Sequence, residues 1–149
     1  MSPRRLLESA ATTARESYDG RQVRVVTTAA PTRNVRVDPE RLPQVLGNLL
    51  ENALRHTPAG GVHTLSATAQ EENWVELSVI DTGAGIAPEH LFERFYRADP
   101  ARPRGYAGSG IGLTISWAII ESHGGGLSAA SAGTGKGATF TMRLPAWLP

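Results

Sequence analysis

No cysteine occurs among the 149 residues, so disulfides, thiolate metal sites and cysteine nucleophiles are excluded together. A reducing interior such as the cytoplasm fits that absence. Lysine is almost as scarce: Lys136 stands alone among fifteen Lys and Arg residues, a bias that reads as genomic composition rather than function. Fourteen acidic residues leave a net charge of +1, so no strong global field recruits nucleic acid or an acidic membrane surface. Long hydrophobic runs are missing too. The longest, Trp117-Ala118-Ile119-Ile120, is far short of the roughly 20 residues that span a bilayer, and the N-terminus lacks a signal peptide's apolar core. No direct membrane insertion is therefore expected. Sixteen Gly and ten Pro raise the loop content without making a low-complexity tract, and no repeat is visible. What is present, 40% hydrophobic residues over this length, suffices for one domain with a single buried core.

The most informative stretch runs from Asp38 to Pro58, reading Asp-Pro-Glu-Arg-Leu-Pro-Gln-Val-Leu-Gly-Asn-Leu-Leu-Glu-Asn-Ala-Leu-Arg-His-Thr-Pro. Asp38 can cap a helix that Pro39 opens at its first position, and Thr57-Pro58 closes it. At about 100° per residue, Leu42, Val45, Leu46, Leu49, Leu50 and Ala53 form one apolar stripe that faces a core. Asn48, Asn52, Arg55 and His56 fall in a second, narrower row beside it, at the core's rim. Asn is a middling helix former with no need to recur one turn apart, so packing explains this row poorly. As a set these side chains suit a metal and phosphates; the alternative is a solvated helix edge.

Around that helix, residues 3 to 17 carry Leu6, Leu7, Ala10, Ala11 and Ala14 at helical spacing, and Asp19-Gly20 stops the pattern. Val23 to Thr28 and Val35 to Val37 alternate as strands, with 31 to 34 as the turn between them. Val62 to Gln70 and Trp74 to Ile80 read as an antiparallel pair, the second delivering Asp81. Residues 88 to 95 suggest a short helix. Ile111 to Ser122 reads as a helix with Ile111, Ile115, Ala118 and Ile119 inward, ended by Gly124-Gly125-Gly126. Leu127 to Ser131 and Ala138 to Leu144 complete the strands. The fold class is α+β: a two-layer α/β sandwich, with a mixed sheet of about five main strands packed on three helices. Residues 1–20 form a lead-in helix and 21–149 the domain proper.

Three further motifs carry chemistry. Asp81-Thr82-Gly83-Ala84-Gly85-Ile86 comes directly off a strand, and its glycines let the backbone turn and approach a ligand. A carboxylate at an apolar strand's end is costly to bury unless a donor meets it, and an adenine amino group is such a donor; a plain Asp-Gly turn is the other reading. Gly108-Ser109-Gly110-Ile111-Gly112-Leu113 sets three glycines across a helix N-terminus, where free N–H groups and the helix dipole favour phosphate. It is neither a Walker A loop nor a dinucleotide fingerprint, and Gly133-Thr134-Gly135-Lys136-Gly137, a hairpin loop, fails the Walker test too. Between them lie Leu91-Phe92-Glu93-Arg94-Phe95-Tyr96-Arg97 and a stretch with Arg102 and Arg104. Aromatic anchors beside basic residues describe a lid over a polyphosphate, and Phe92 and Phe95 serve equally as core residues.

Taken in order, these elements resemble the ATP-binding catalytic domain of sensor histidine kinases, in the wider family with gyrase, Hsp90 and MutL ATPases that shares the Bergerat fold. The resemblance covers about 23 to 144 and rests on Asn48-Leu-Leu-Glu-Asn52-Ala-Leu-Arg55-His56, Asp81-Thr-Gly83-Ala-Gly85-Ile, Phe92-Glu-Arg-Phe95-Tyr-Arg97, Gly108-Ser-Gly110-Ile-Gly112-Leu and Gly135-Lys-Gly-Ala-Thr139-Phe140. Glu121-Ser122-His123-Gly124-Gly125 is similar to the family's usual ending of the helix after the phosphate loop. The resemblance implies ATP and Mg²⁺ as cofactors, with Asn52 ligating the metal, Asn48 assisting and Arg55 on phosphate. It implies that His56 stacks near the adenine and ribose and that Asp81 holds the adenine amino group. Gly83 and Gly85 would admit the ring, and Gly110 and Gly112 would present N–H groups to phosphate. Thr139 would back up Asp81 through water. Ile86, Phe95, Arg97, Gly108, Ser109, Ile111 and Leu113 would complete the pocket.

Gyrase and Hsp90 relatives carry a Glu one turn before the magnesium Asn to activate water, and here that position is Asn48. Weak hydrolysis is therefore implied. The family's nucleophile is a His in a two-helix dimerisation domain, followed by Glu or Asp and then Pro, and none of His56, His63, His90 or His123 has that context. The expected partners are thus a His-containing dimerisation or phosphotransfer domain, in the same kinase or a separate subunit, and then a response regulator. The chain itself is expected to be a cytoplasmic monomer, with 1–20 a remnant of the linker from that dimerisation domain. Two competing functions share the nucleotide site: a Ser/Thr kinase of the anti-sigma-factor type, and a nucleotide-sensing module without transferase activity.

Overall fold

The computed structural model describes residues 2–55, 57–71, 73–82, 110–130 and 137–147; of residues 55 and 110–114 only the backbone is described. In chain order the elements are α1 (Pro3–Gly20), β1 (Arg24–Ala29), α2 (Arg41–Arg55), β2 (Val62–Gln70), β3 (Trp74–Asp81), α3 (Gly110–Ser122), β4 (Gly126–Ala130) and β5 (Ala138–Pro145). The short helix expected over 88 to 95 lies outside the described residues.

Ser2 caps α1 and Pro3 opens it, where the missing N–H is no loss. Leu6, Leu7, Ala11 and Tyr18 are buried in the same core as the sheet, so α1 packs onto the rest of the fold. Asp38 starts α2 as its chemistry dictates: its carbonyl accepts from Leu42 N at 3.1 Å and its Oδ1 from Glu40 N at 2.8 Å. The whole expected stripe, Leu42, Val45, Leu46, Leu49, Leu50 and Ala53, is 0–2% exposed. His123 joins the end of α3 to the start of α2, its Nε2 accepting from Asp38 N at 2.9 Å while Nδ1 lies 2.7 Å from the Ile119 carbonyl oxygen.

The sheet is mixed, in the order β1-β2-β3-β5-β4. The β1–β2 pair is parallel and the other three pairs are antiparallel. The hairpin expected between 23–28 and 35–37 does not form. Val35 makes a single bridge to Ala146, and the chain passes through α2 before returning as β2, because two parallel neighbours need a crossover. On one face His63, Leu65, Ala67, Val75, Leu77, Val79, Asp81, Ala138, Phe140, Met142 and Leu144 are buried beneath the helices. The other face carries hydroxyls and charge: Ser78 Oγ lies 3.2 Å from Thr141 Oγ1, and the Arg143 guanidinium sits 4.3 Å from the Trp74 ring centre.

The expected inner face of α3 needs correcting. Ile119 is buried as expected, together with Ser116 and Ile120, whereas Ile115 is 39% exposed and Ala118 faces out; the Ile111 side chain lies outside the described residues. The inward row is shifted by about one residue because α3 packs against both α2 and β4.

Candidate functional site

Five polar side chains are buried among the described residues: Asn52, Thr57, His63, Asp81 and Ser116. They come from five different segments, α2, the loop after it, β2, β3 and α3, so tertiary structure has gathered them. Asn52 is 5% exposed, and its Nδ2 has no hydrogen-bond partner among the described residues. A buried amide N–H₂ left unpaired costs about 1–3 kcal/mol, so it needs a compensating reason. One turn earlier Asn48 is half-buried, and its Nδ2 donates to Ser116 Oγ at 3.4 Å, a long bond that ties α2 to α3.

At the tip of β3, Asp81 is 7% exposed, and its Oδ1 accepts from Ala138 N at 3.2 Å. Next to it Gly137 has φ +74°, and a Cβ there would collide with the Asp81 carbonyl oxygen, so only glycine lets β5 approach so closely. Thr82 closes the strand end: its N donates to the Val62 carbonyl at 3.2 Å and its Oγ1 accepts from Val62 N at 2.9 Å. Thr139 does not join Asp81. It is paired with Ile80, and since side chains alternate along a strand it stands on the opposite face of the sheet. The backbone N–H of Ala138, opposite Asp81 in the ladder, does the supporting instead.

His63 was not singled out by the motifs, although inward alternation with Leu65 and Ala67 marks it as a core-facing imidazole. It is fully buried, with Nδ1 2.6 Å from the Tyr18 hydroxyl and Nε2 2.7 Å from Thr57 Oγ1. Tyr18 in turn donates to the Leu50 carbonyl at 3.0 Å and Thr57 to the Ala53 carbonyl at 2.9 Å. Burial lowers the His63 pKa below its ordinary value, and the Asp81 charge works against that. Burial first, and Asp81 second, push the Tyr18 phenol well above its usual range.

This network locates the two ends of the site. His63 is the ladder partner of Asp81, and its hydroxyl partners reach Leu50 and Ala53, which bracket Asn52 on α2. The turn bearing Asn52 and the strand tip bearing Asp81 therefore share one end of the sheet. Gly110, Ile111, Gly112 and Leu113 begin α3 as its first backbone turn, and Arg55 ends α2. His56, Gly83, Gly85, Ile86, Phe95, Arg97, Gly108 and Ser109 lie outside the described residues. A groove of about 720 Å³ between α1 and α2, lined by Leu6, Ala10, Tyr18, Leu50 and Leu54 among others, includes none of the five buried polar residues.

The donor set fits a nucleotide better than a protein-held metal. Among the described residues no group of three or more His, Cys, Asp or Glu could hold an ion. Magnesium, however, ordinarily keeps waters and phosphate oxygens with only one or two protein oxygens; the Asn52 side chain carries one such oxygen, and its unpaired Nδ2 is a donor suited to a phosphate oxygen. Which amide atom faces which way follows from the partner it meets.

Residues 37–148 match the family of histidine kinase-, DNA gyrase B- and HSP90-like ATPases, a span that includes every candidate site residue. The chain belongs to this family. Within it the likeness is to histidine-kinase catalytic domains. Sensor protein SrrB of Staphylococcus aureus is 47% identical over 111 residues, covering 72% of this chain and 19% of SrrB. Full-length ShkA, solved in complex with AMPPNP, superposes with a TM-score of 0.80 at 27% identity, over 100% of this chain and 31% of ShkA. The catalytic domain of histidine kinase ThkA, nucleotide-free, shares the fold with a TM-score of 0.81 at 23% identity, over 98% of this chain and 94% of that one. The chain thus spans about a fifth of the length of the curated sensor proteins it matches.

Proposed function

We propose that this ATPase-family domain binds Mg-ATP across the end of the sheet where Asn52 and Asp81 meet, and passes the γ-phosphoryl group to a histidine on another domain. The observation that carries this reading is the pairing, at one end of the fold, of a buried amide N–H₂ without a partner among the described residues and a buried carboxylate. Asp81, oriented by the Ala138 N–H, accepts a hydrogen bond from the adenine amino group. Asn52, assisted by Asn48, would hold magnesium through its amide oxygen and offer its unpaired Nδ2 hydrogens to phosphate oxygen, and Arg55 would pair with the phosphates' charge. Gly110 and Gly112, in the first turn of α3, direct free N–H groups at phosphate. Bound magnesium would neutralise charge on the phosphates. The family resemblance assigns the remainder of this site to His56, Gly83, Gly85, Ile86, Phe95, Arg97, Gly108, Ser109, Ile111 and Leu113.

In the transfer itself, an acceptor imidazole nitrogen bonds to the γ-phosphorus as the bond to the β,γ-bridging oxygen breaks and ADP leaves. Positioning and charge neutralisation supply most of the catalysis in such steps. An amide at position 48 cannot take a proton from water, so hydrolysis stays slow beside transfer to a docked histidine. That histidine belongs to a dimerisation or phosphotransfer domain, and a response regulator receives the group next. Residues 21–149 form the nucleotide-binding unit, and α1, packed in the same core, is where the preceding dimerisation domain connects. The isolated chain is a monomer and works in the cytoplasm; no helix among the described residues is long and apolar enough to cross a membrane.

The likeness to sensor and histidine kinases favours this reading over a Ser/Thr kinase. Incubation with γ-labelled ATP, Mg²⁺ and a His-containing dimerisation domain is expected to give acid-labile label on that domain. Acid-stable label would assign the Ser/Thr reaction instead, and nucleotide binding without any label would leave only a sensing module.

A further inference from the structure

Two short contacts reach His63 and two more tie its hydroxyl partners to α2, and these four cannot all hold a proton while the ring is neutral. Tyr18 Oη gives its proton to the Leu50 carbonyl at 3.0 Å, and Thr57 Oγ1 gives its own to the Ala53 carbonyl at 2.9 Å. Both hydroxyl oxygens then face the imidazole as acceptors, at 2.6 and 2.7 Å. Two acceptors, one at each ring nitrogen, are matched only by a ring protonated on both. With one ring proton, one of the four contacts goes without. Opposing this, the ring is fully buried, which disfavours charge.

The register adds a third party. Thr82 N donates to the Val62 carbonyl, which makes His63 and Asp81 the next, non-hydrogen-bonded pair of the antiparallel ladder. Such pairs bring their side chains closest, with Cβ atoms about 4.5–5.5 Å apart, and both side chains lie on the buried face. The groups that face the ring are Tyr18 from α1, Thr57 from the loop after α2, Val25 from β1, Asp81 from β3 and only carbonyl oxygens from α2. Tyr18 and Asp81 are the titratable ones among the described residues.

We propose that His63 is a positioning residue of the nucleotide site, which keeps Asp81 a full anionic acceptor for adenine while neutral and weakens it when protonated. This rests on the assignment of Asp81 to adenine. A cation opposite Asp81 shares its charge, and a hydrogen bond to a partly neutralised carboxylate is weaker than one to a free anion. Protonation of His63 and nucleotide binding are therefore antagonistic, and by linkage each disfavours the other equally. Through Tyr18 the same network reaches α1.

The test is Mg-ATP affinity of the full chain between pH 5 and pH 8, measured for wild type, His63→Gln and Tyr18→Phe. Taking each variant as a ratio to wild type cancels the ionisation of ATP itself. Wild type is expected to lose about tenfold more affinity than His63→Gln on acidification, a coupling of ordinary size. Tyr18→Phe, which removes an acceptor from the protonated ring, moves the loss to lower pH. The His63 ring, followed by NMR in wild type, titrates at lower pH with Mg-ADP bound than without, which needs no variant to fold. Parallel profiles for wild type and both variants, with an unmoved ring titration, would overturn the role of His63 and leave the nucleotide site standing. If ATP binds to none of the three at any pH, the site assignment falls first and this inference with it.

Discussion

The two ends of the sheet's helix-facing side are built from the same strands to different purposes. Towards one end β2 and β3 present Leu65, Ala67, Val75 and Leu77 to the helices, all within 1% of full burial. At the other, the same strands present His63 and Asp81, the facing turn of α2 presents Asn52, and Thr57 and Ser116 close around them. Both ends are buried, yet only the second holds groups that need partners, and one of these, Asn52 Nδ2, has none among the described residues. Burial at the apolar end stabilises the fold, whereas burial at the polar end spends some of that stability to hold groups ready for a ligand.

The sharpest way to break this contrast is a truncation at each end. Leu77→Ala is expected to lower unfolding free energy by about 2–5 kcal/mol by denaturant titration, while Mg-ATP affinity of the folded fraction stays within about twofold. Asp81→Asn reverses the pattern: affinity falls by about 1.5–3 kcal/mol, roughly 10- to 150-fold, with stability changed by less than about 1 kcal/mol. If both variants lose stability and affinity together, the two ends are not separable. Next in size, Asn52→Leu removes the unpartnered amide and is expected to raise stability by up to about 1 kcal/mol while abolishing magnesium-dependent binding. A loss of several kcal/mol there would show that the amide is satisfied. Ser116→Ala deletes only the long bond to Asn48 and is expected to cost about 0.5–1.5 kcal/mol. The smallest effect is on pH dependence. Because burial lowers the His63 pKa in the folded chain, the unfolded chain binds more protons, so stability is full above about pH 6.5 and declines as pH falls below it. His63→Gln is expected to flatten that slope, read from thermal melts at pH 5, 6 and 7.

Much of this contrast was legible from residue order. The α2 stripe and the Asn48 and Asn52 row follow from helical period alone, and β2 and β3 from alternation. The parallel pairing of β1 with β2 was not, because the segment 31 to 34 has the composition of a turn and nothing local says that Val35 stops after one bridge. The inner face of α3 was not legible because a helix hydrophobic on all sides has no stripe to read, and contact with α2 and β4 decides which row turns in. Thr139 was carried over from the family's motif, whereas the register puts Ala138 behind Asp81. His63 alternated visibly with Leu65, but that Tyr18, 45 residues away, would meet it depends on how α1 packs.

The central claim is that the polar end reads an adenine nucleotide through a carboxylate that accepts from its amino group. Calorimetric titration of the chain with Mg-ATP and, separately, Mg-GTP tests it most directly, because guanine offers a carbonyl acceptor where adenine offers a donor. Saturable heat with ATP and affinity for GTP weaker by at least about 100-fold is the predicted result. No saturation with ATP, or equal affinity for the two, would contradict it.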